Sequence, residues 1–325
     1  MVIAYFRSLI EWFGSAWNRF WYTPADPLPL GWMRLLIGTI AIVSLVSYSP
    51  DIDHFLSSTG MLPVETVVEL QTARLDNGGE VRPWRWSYFD YLAPSEVQLA
   101  HILGITVLVA YTLGIFTRYT SIAALVVVLS YLHRTPAVTF YHERFLAFVM
   151  FYLALGPSGA TLSVDRWLAN RKGQPAAAPS WGANVSLRLM QIHLCLAVFM
   201  MAISKLSRES SWWNGMAIWW LSSIPDGPLV DLSWVRNHRF VINFWTHAIA
   251  FLELGFPFLV WNKHLRPLIV VLAFMVWTSV MVVTGYTLFI LALLTSVFCF
   301  VSGEQLRAIA ATVGLSKSPD KLPVS

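Results

Sequence analysis

Apolar runs of about 12 to 21 residues recur along the chain, separated by polar, proline-bearing or glycine-bearing breaks. Their spacing predicts eight membrane-spanning helices: Leu30–Val46, Glu96–Phe116, Thr120–Leu132, Arg144–Leu155, Val185–Ser204, Val241–Val260, Leu268–Thr284 and Thr287–Val301. The third and fourth runs are shorter than the roughly 17–25 residues that a crossing helix normally uses. Ahead of them, Phe6, Leu9, Ile10, Phe13 and Trp17 recur at helical spacing, with Arg7, Glu11 and Arg19 elsewhere on the helix. That pattern predicts an amphipathic helix, lying in a membrane interface or packed on the bundle. The prolines of 24–29 end it.

The fold class expected is therefore all-α: a polytopic helical membrane bundle with an N-terminal amphipathic helix. Three regions follow: an interfacial segment over 1–27, a transmembrane domain over 28–303 with outer loops at 49–94 and 205–240, and a tail over 304–325. Gly173–Ser180 reads as a flexible linker, and the tail beyond Gly314 as disordered. The first apolar run lacks a signal-peptide layout and is expected to remain in the mature protein.

Composition supports this class. The 325 residues are 56% hydrophobic and 12% charged, about half the charged share of a soluble domain. Sixteen tryptophans suit interfacial anchoring and aromatic packing. The net charge of +4 comes from basic loops, so it points to no nucleic-acid partner. Arg118, Arg166, Arg171, Lys172, Lys263, Arg266, Arg307, Lys317 and Lys321 fall on one side of an eight-span bundle, together with Arg7 and Arg19. By the positive-inside rule that side is cytoplasmic, so both termini are expected in the cytoplasm of a cell-membrane protein. Cys195 and Cys299 lie within apolar runs and read as buried thiols, with no disulfide framework.

On that topology several polar groups converge on the outer mouth. Lys205 ends the fifth span, His133 and Arg134 follow the third, and Tyr141, His142 and Glu143 open the fourth. The loop adds His54 and the WRWSYFDY cluster, with Trp84 and Trp86. Lys205 has two readings: a snorkelling anchor, or an amine whose partial burial makes it a base. His142 beside Glu143 is an acid/base candidate or an interfacial histidine on its own helix end. His133 and Arg134 suit an anionic group on a substrate or a lipid headgroup.

Deeper lie His193, His247 and Glu253, read as structural or substrate-pocket residues or, for His247 and Glu253, as a proton relay. His193 stands ~18 Å along the helix from Lys205 and so cannot partner it directly. The histidines are scattered, no metal-ligand spacing is present and no metal site is expected. No GxSxG motif occurs.

Four ordered blocks carry a family resemblance: 34–63 (RLLIGTIAIVSLVSYSPDIDHFLSSTGMLP), 113–136 with its LGIFTR turn, GPSGATLSVDRW at 156–167, and QIHLCLAVFMMAISKL at 191–206 followed by WWNGMAIWW. They resemble the HTTM family, the membrane domain shared with vitamin K-dependent gamma-carboxylase, over roughly residues 28–301. The resemblance implies quinol chemistry at the extracytoplasmic face. A lysine deprotonates a reduced quinone of the vitamin K or menaquinone type. Oxygenation yields a strong base that removes a glutamate γ-proton, and carbon dioxide adds to the carbanion. Carried over by motif, Lys205 is the base and His142, in YHERFL, its helper. Tyr141, Glu143, His133, Arg134, Trp84 and Trp86 are then substrate-side candidates. In the animal enzyme another lysine precedes the base, where this chain has Ser204. That enzyme also has a large lumenal domain after the bundle, whereas this chain ends at Ser325; a separate extracytoplasmic protein is an expected partner, beside lipids and the quinol. Two alternatives stand beside carboxylase-like chemistry: a non-catalytic membrane module binding lipid or protein, and a proton-coupled transporter using His247 and Glu253.

Overall fold

A computed structural model describes residues 2–74, 80–81, 84–136, 139–224 and 227–312. The expected tail beyond Gly314 lies outside these residues. The described chain is helical apart from a two-residue antiparallel ladder pairing Ala73 with Val81 and Arg74 with Glu80.

All eight apolar runs are helices. In chain order the α-helices are α1 Val2–Tyr22, α2 Leu28–Val46, the short α3 Ile52–Leu56, α4 Val64–Gln71, α5 Val97–Leu113, α6 Thr117–Arg134, α7 Tyr141–Leu155 and α8 Val164–Arg171. They continue as α9 Trp181–Arg208, the short α10 Ser210–Trp213 and α11 Ala217–Leu221, α12 Arg239–Leu259, α13 Arg266–Thr284, α14 Thr287–Ser296 and α15 Gly303–Thr312. Five stretches are long and apolar enough to cross a membrane: Leu28–Leu56, Pro94–Leu113, Trp181–Arg208, Arg239–Leu259 and Arg266–Thr284. Thr287–Phe300 with Gly303–Thr312 is a further apolar pair, bent by 116°. The region over 49–94, expected as an outer loop, contains α3 and α4. The helix expected to end at Ser204 runs on to Arg208, so Lys205 sits within α9.

Residues that look incidental in sequence set the packing. Arg34 of α2 is fully buried. Its guanidinium donates to the Tyr111 and Thr112 carbonyls at the end of α5 (both 3.0 Å), to Ser158 O (3.2 Å) and to Leu162 O. A cation thus satisfies orphan carbonyls at a helix C-terminus, where the helix dipole also favours it. Gly114 follows α5 at φ +72°, and a Cβ there would collide with the Arg34 guanidinium and with Ser163. Asp165 of α8 then caps α6: its carboxylate accepts from Phe116 N (2.9 Å), Thr117 N (2.7 Å) and the Thr117 hydroxyl (2.8 Å). The LGIFTR turn and the GPSGATLSVDRW segment are therefore two halves of one junction.

The long α9 is the central strut. Asn184 donates to Phe20 O (2.7 Å) and Trp21 O (2.8 Å), tying the end of α1 to it. Gln191 donates to Cys299 O at 2.7 Å beyond α14. Ser186 donates to Tyr152 O of α7 at 2.7 Å. Farther along, Phe199 meets Phe258 edge to face at 5.8 Å, and Lys205 meets Glu253. The falling partner numbers show that α12 runs antiparallel to α9. Pro257 lies inside α12 and, having no N–H, leaves out the helix bond to the Glu253 carbonyl. We call the end where α6 and α9 terminate, and α7 and α12 begin, the upper end.

Candidate functional site

The candidate site is an ion pair between α9 and α12. Lys205 Nζ donates to both oxygens of Glu253, at 2.6 and 2.7 Å. The Glu253 side chain is 2% exposed and that of Lys205 25%, so the carboxylate is enclosed while solvent or a ligand reaches the amine. The Trp212 ring of α10 lies 4.8 Å from Nζ, contributing an aromatic wall. Local sequence explains the assembly. Lys205 belongs to the last turn of α9; Glu209 interrupts the helix, and SSWW forms the next turn, folding Trp212 into the buried cluster with Ile218, Ile242 and Ile249. Chemically this is a buried ion pair in apolar surroundings, where neither charge is tolerated alone.

His142 occupies another part of the upper end. Its Nε2 lies 3.0 Å from Ser44 Oγ of α2 and 3.6 Å from Glu143 Oε1. The buried Glu143 accepts the Tyr48 hydroxyl at 2.6 Å and its own cap amide, Phe140 N, at 2.6 Å. Beside it His101 bridges Tyr131 Oη (2.5 Å) and Ser49 Oγ (2.8 Å), and the Tyr48 and Tyr131 rings lie 5.8 Å apart. His142 and Glu143 are thus held by Ser44 of α2 and by Tyr48 just beyond its end. Among the described residues no hydrogen bond or ion pair joins them to Lys205.

The loop cluster does reach the end of α6. His133 Nδ1 lies 2.9 Å from Trp86 O, and the Trp84 ring stands edge-on to the imidazole at 5.9 Å. Arg134, expected at the same mouth, turns inward instead. It is fully buried, donating to Leu56 O (3.1 Å) and Ser57 O (2.7 Å) at the end of α3, with Asp90 3.8 Å away. A buried guanidinium needs several acceptors, and the end of α3 supplies them. Burial also raises the Tyr88 hydroxyl pKa above its ordinary value and keeps that phenol neutral.

The remaining candidates are dispersed. Tyr141 is exposed, 6.2 Å from the Phe289 ring. His54 lines a separate ≈ 490 Å³ cleft with Asp53 and Gln98. His247 bonds its own helix at Asn243 O (2.8 Å) and stacks on Phe251, and among the described residues no hydrogen bond or ion pair joins it to Glu253. His193 lies 3.1 Å from Tyr152 Oη. Both cysteines are free and buried, and among the described residues no group of three or more His, Cys, Asp or Glu could hold a metal ion.

The Lys205–Glu253 pairing escaped the sequence reading, which put the lysine at the mouth and the glutamate at mid-depth. The available signal was elementary: lone opposite charges in two consecutive antiparallel apolar runs each need a partner. No protein-family model, no curated protein and no solved structure matches the chain.

Proposed function

We propose that the chain is a membrane enzyme that takes a proton from a lipid-soluble reduced quinone, with the Lys205–Glu253 pair as its base. The proposal includes eight crossing helices, α1 at the membrane interface, and both termini in the cytoplasm of a cell membrane. The loop charges support that orientation. The single observation that carries the chemistry is Lys205 Nζ held by both oxygens of a buried carboxylate, with its amine still reachable. The four sequence blocks resembling the carboxylase membrane domain select the same lysine.

The residues fit such a ligand. A flat aromatic face, Trp212, lies beside the amine, and apolar helices surround it. A quinol supplies an ionisable ring hydroxyl and two electrons. With the pair's single proton on Glu253, Lys205 presents a lone pair. After the transfer, the lysine's positive charge balances the anion left on the ring. Glu253 fixes the amine and holds the proton that would otherwise block it. Net charge at the site stays at zero throughout, the condition a low-dielectric pocket imposes. The assignment leaves His142 out of the proton step, since Ser44 and Glu143 engage it. Oxygenation of the ring and carboxylation of a glutamyl partner, the further steps implied by the resemblance, are part of the same proposal.

The test incubates purified protein with reduced menaquinone or vitamin K and oxygen, with and without a glutamyl peptide and bicarbonate, and measures quinone epoxide. Lys205→Arg keeps a cation for Glu253 but stays protonated, so turnover is expected to vanish while the fold survives. Undiminished turnover in Lys205→Arg would make the pair a tie between helices. Wild-type protein that converts neither quinol removes the quinol reading altogether.

A further inference from the structure

A groove of ≈ 590 Å³ runs between α6 and α7, apart from the Lys205–Glu253 pair. Its two ends differ in chemistry. At the upper end Arg85, His133 and Arg144 line it. Below them the walls are apolar: Leu125, Leu129 and Leu132 on α6 face Ala147 and Phe151 on α7. The apolar part follows α6 from Leu132 to Leu125, ~10 Å of helix. Phe148 and Phe151 are 49% and 45% exposed on the flank of the bundle, so the groove opens sideways, where a membrane protein meets lipid.

The polar end carries unmatched positive charge. Arg85 gives Nη2 to Asp90 at 2.7 Å, yet its Nε and Nη1 are buried with no hydrogen-bond partner among the described residues. Asp90 is shared with Arg134, 3.8 Å away, whose other electrostatic partner is the more distant Glu65. Arg144 has no hydrogen bond or ion pair with a described residue. Asp90 is thus divided between Arg85 and Arg134, while Arg144, which lines the groove with Arg85, has no carboxylate partner among the described residues. Buried donors without acceptors are rare and destabilising, so these await an anion. Arginine forks match phosphate oxygens in geometry as well as charge.

We propose that this groove binds an anionic phospholipid from one leaflet of the bilayer. The phosphate sits on Arg85 and Arg144, and an acyl chain lies along Leu132, Leu129 and Leu125. Trp84, edge-on to His133, closes the headgroup end. Neither half of the groove accounts for the other half: a soluble anion has no use for the apolar trough, and a lipid of no net charge leaves the arginine charge uncompensated.

The experiment uses the whole protein in detergent, with phosphatidylglycerol or phosphatidylcholine of identical chains, and with glycerol phosphate as the headgroup alone. Native mass spectrometry reads bound lipid, and thermal unfolding reads stabilisation. Both lipids bring a phosphate, but the choline cation offsets it, so phosphatidylglycerol is expected to bind at least about tenfold more tightly than phosphatidylcholine. Arg144→Gln removes most of that preference, and Arg144→Lys retains part of it. Arg144 is exposed, so neither change threatens folding. Leu129→Trp, which fills the trough, weakens both lipids while leaving the ratio between them. Equal binding of the two lipids, an unchanged preference in Arg144→Gln, or glycerol phosphate binding as tightly as the lipid would each overturn the proposal.

Discussion

Glu253 stands 48 residues after Lys205 and receives its ammonium on both carboxylate oxygens. The pair joins the last turn of α9 to α12 at a point where α12 is otherwise apolar. Removing one partner therefore differs from removing both. Lys205→Met leaves a buried carboxylate uncompensated and is expected to destabilise the protein by about 3–5 kcal/mol. Lys205→Met combined with Glu253→Leu should recover most of that loss. Thermal unfolding of the two singles and the double, read as a mutant cycle, decides the matter; additive singles would show that the pair is uncoupled.

Arg34 serves four carbonyls from two segments, the end of α5 and the α7–α8 connection, and no other residue type spans them. Arg34→Met should cost more than about 3 kcal/mol, since it strands several buried acceptors. Arg34→Lys should recover little, because a single ammonium cannot reproduce the fork. The midpoint of thermal unfolding in detergent checks both; a lysine variant as stable as wild type would contradict the geometry.

Gly114 has a backbone that other residues adopt at a penalty, and the Arg34 guanidinium occupies the space a methyl would need. Gly114→Ala is expected to lose about 1–3 kcal/mol from strain, with added loss from displacing Arg34. A neutral Gly114→Ala, measured by the same unfolding assay, would mean that the α5–α6 turn tolerates rearrangement.

Asp165→Ala removes three acceptor contacts at the start of α6 and should destabilise by ~1–2 kcal/mol, with Asp165→Asn falling between it and wild type. Hydrogen exchange at Phe116 and Thr117 amides gives a local readout: both should exchange faster in the alanine variant. Unchanged protection would show that the cap is dispensable.

Tyr48→Phe deletes the hydroxyl that Glu143 accepts while keeping the ring. A loss of about 1–3 kcal/mol is expected, because the carboxylate keeps only Phe140 N as a strong donor. Stability equal to wild type would show that water or His142 replaces the phenol.

Hydrophobic periodicity located the helices well. Each apolar run from Leu30 to Val301 returns as a helix, because burying backbone polar groups leaves an apolar segment few other options. It located their ends less well, since capping by Asp165, Arg34 and Asn184 depends on partners far along the chain. The candidate residues divide on the same principle. His133, Trp84 and Trp86 meet as expected, since the loop needs only to fold back on the nearest helix end. Arg134 could not be assigned from its neighbours, because its acceptors lie on α3. Lys205 and Glu253 found each other through the stagger of two antiparallel helices, which spacing along one chain does not encode.

Pro257 gives that last contact a mechanical meaning. The rung missing from α12 falls at the carbonyl of Glu253 itself, so the helix is weakest to bending one turn from the carboxylate. The carboxylate that holds Lys205 therefore belongs to the least braced turn of α12, and the ion pair to α9 supplies there, between helices, the restraint that the missing rung withholds along the helix.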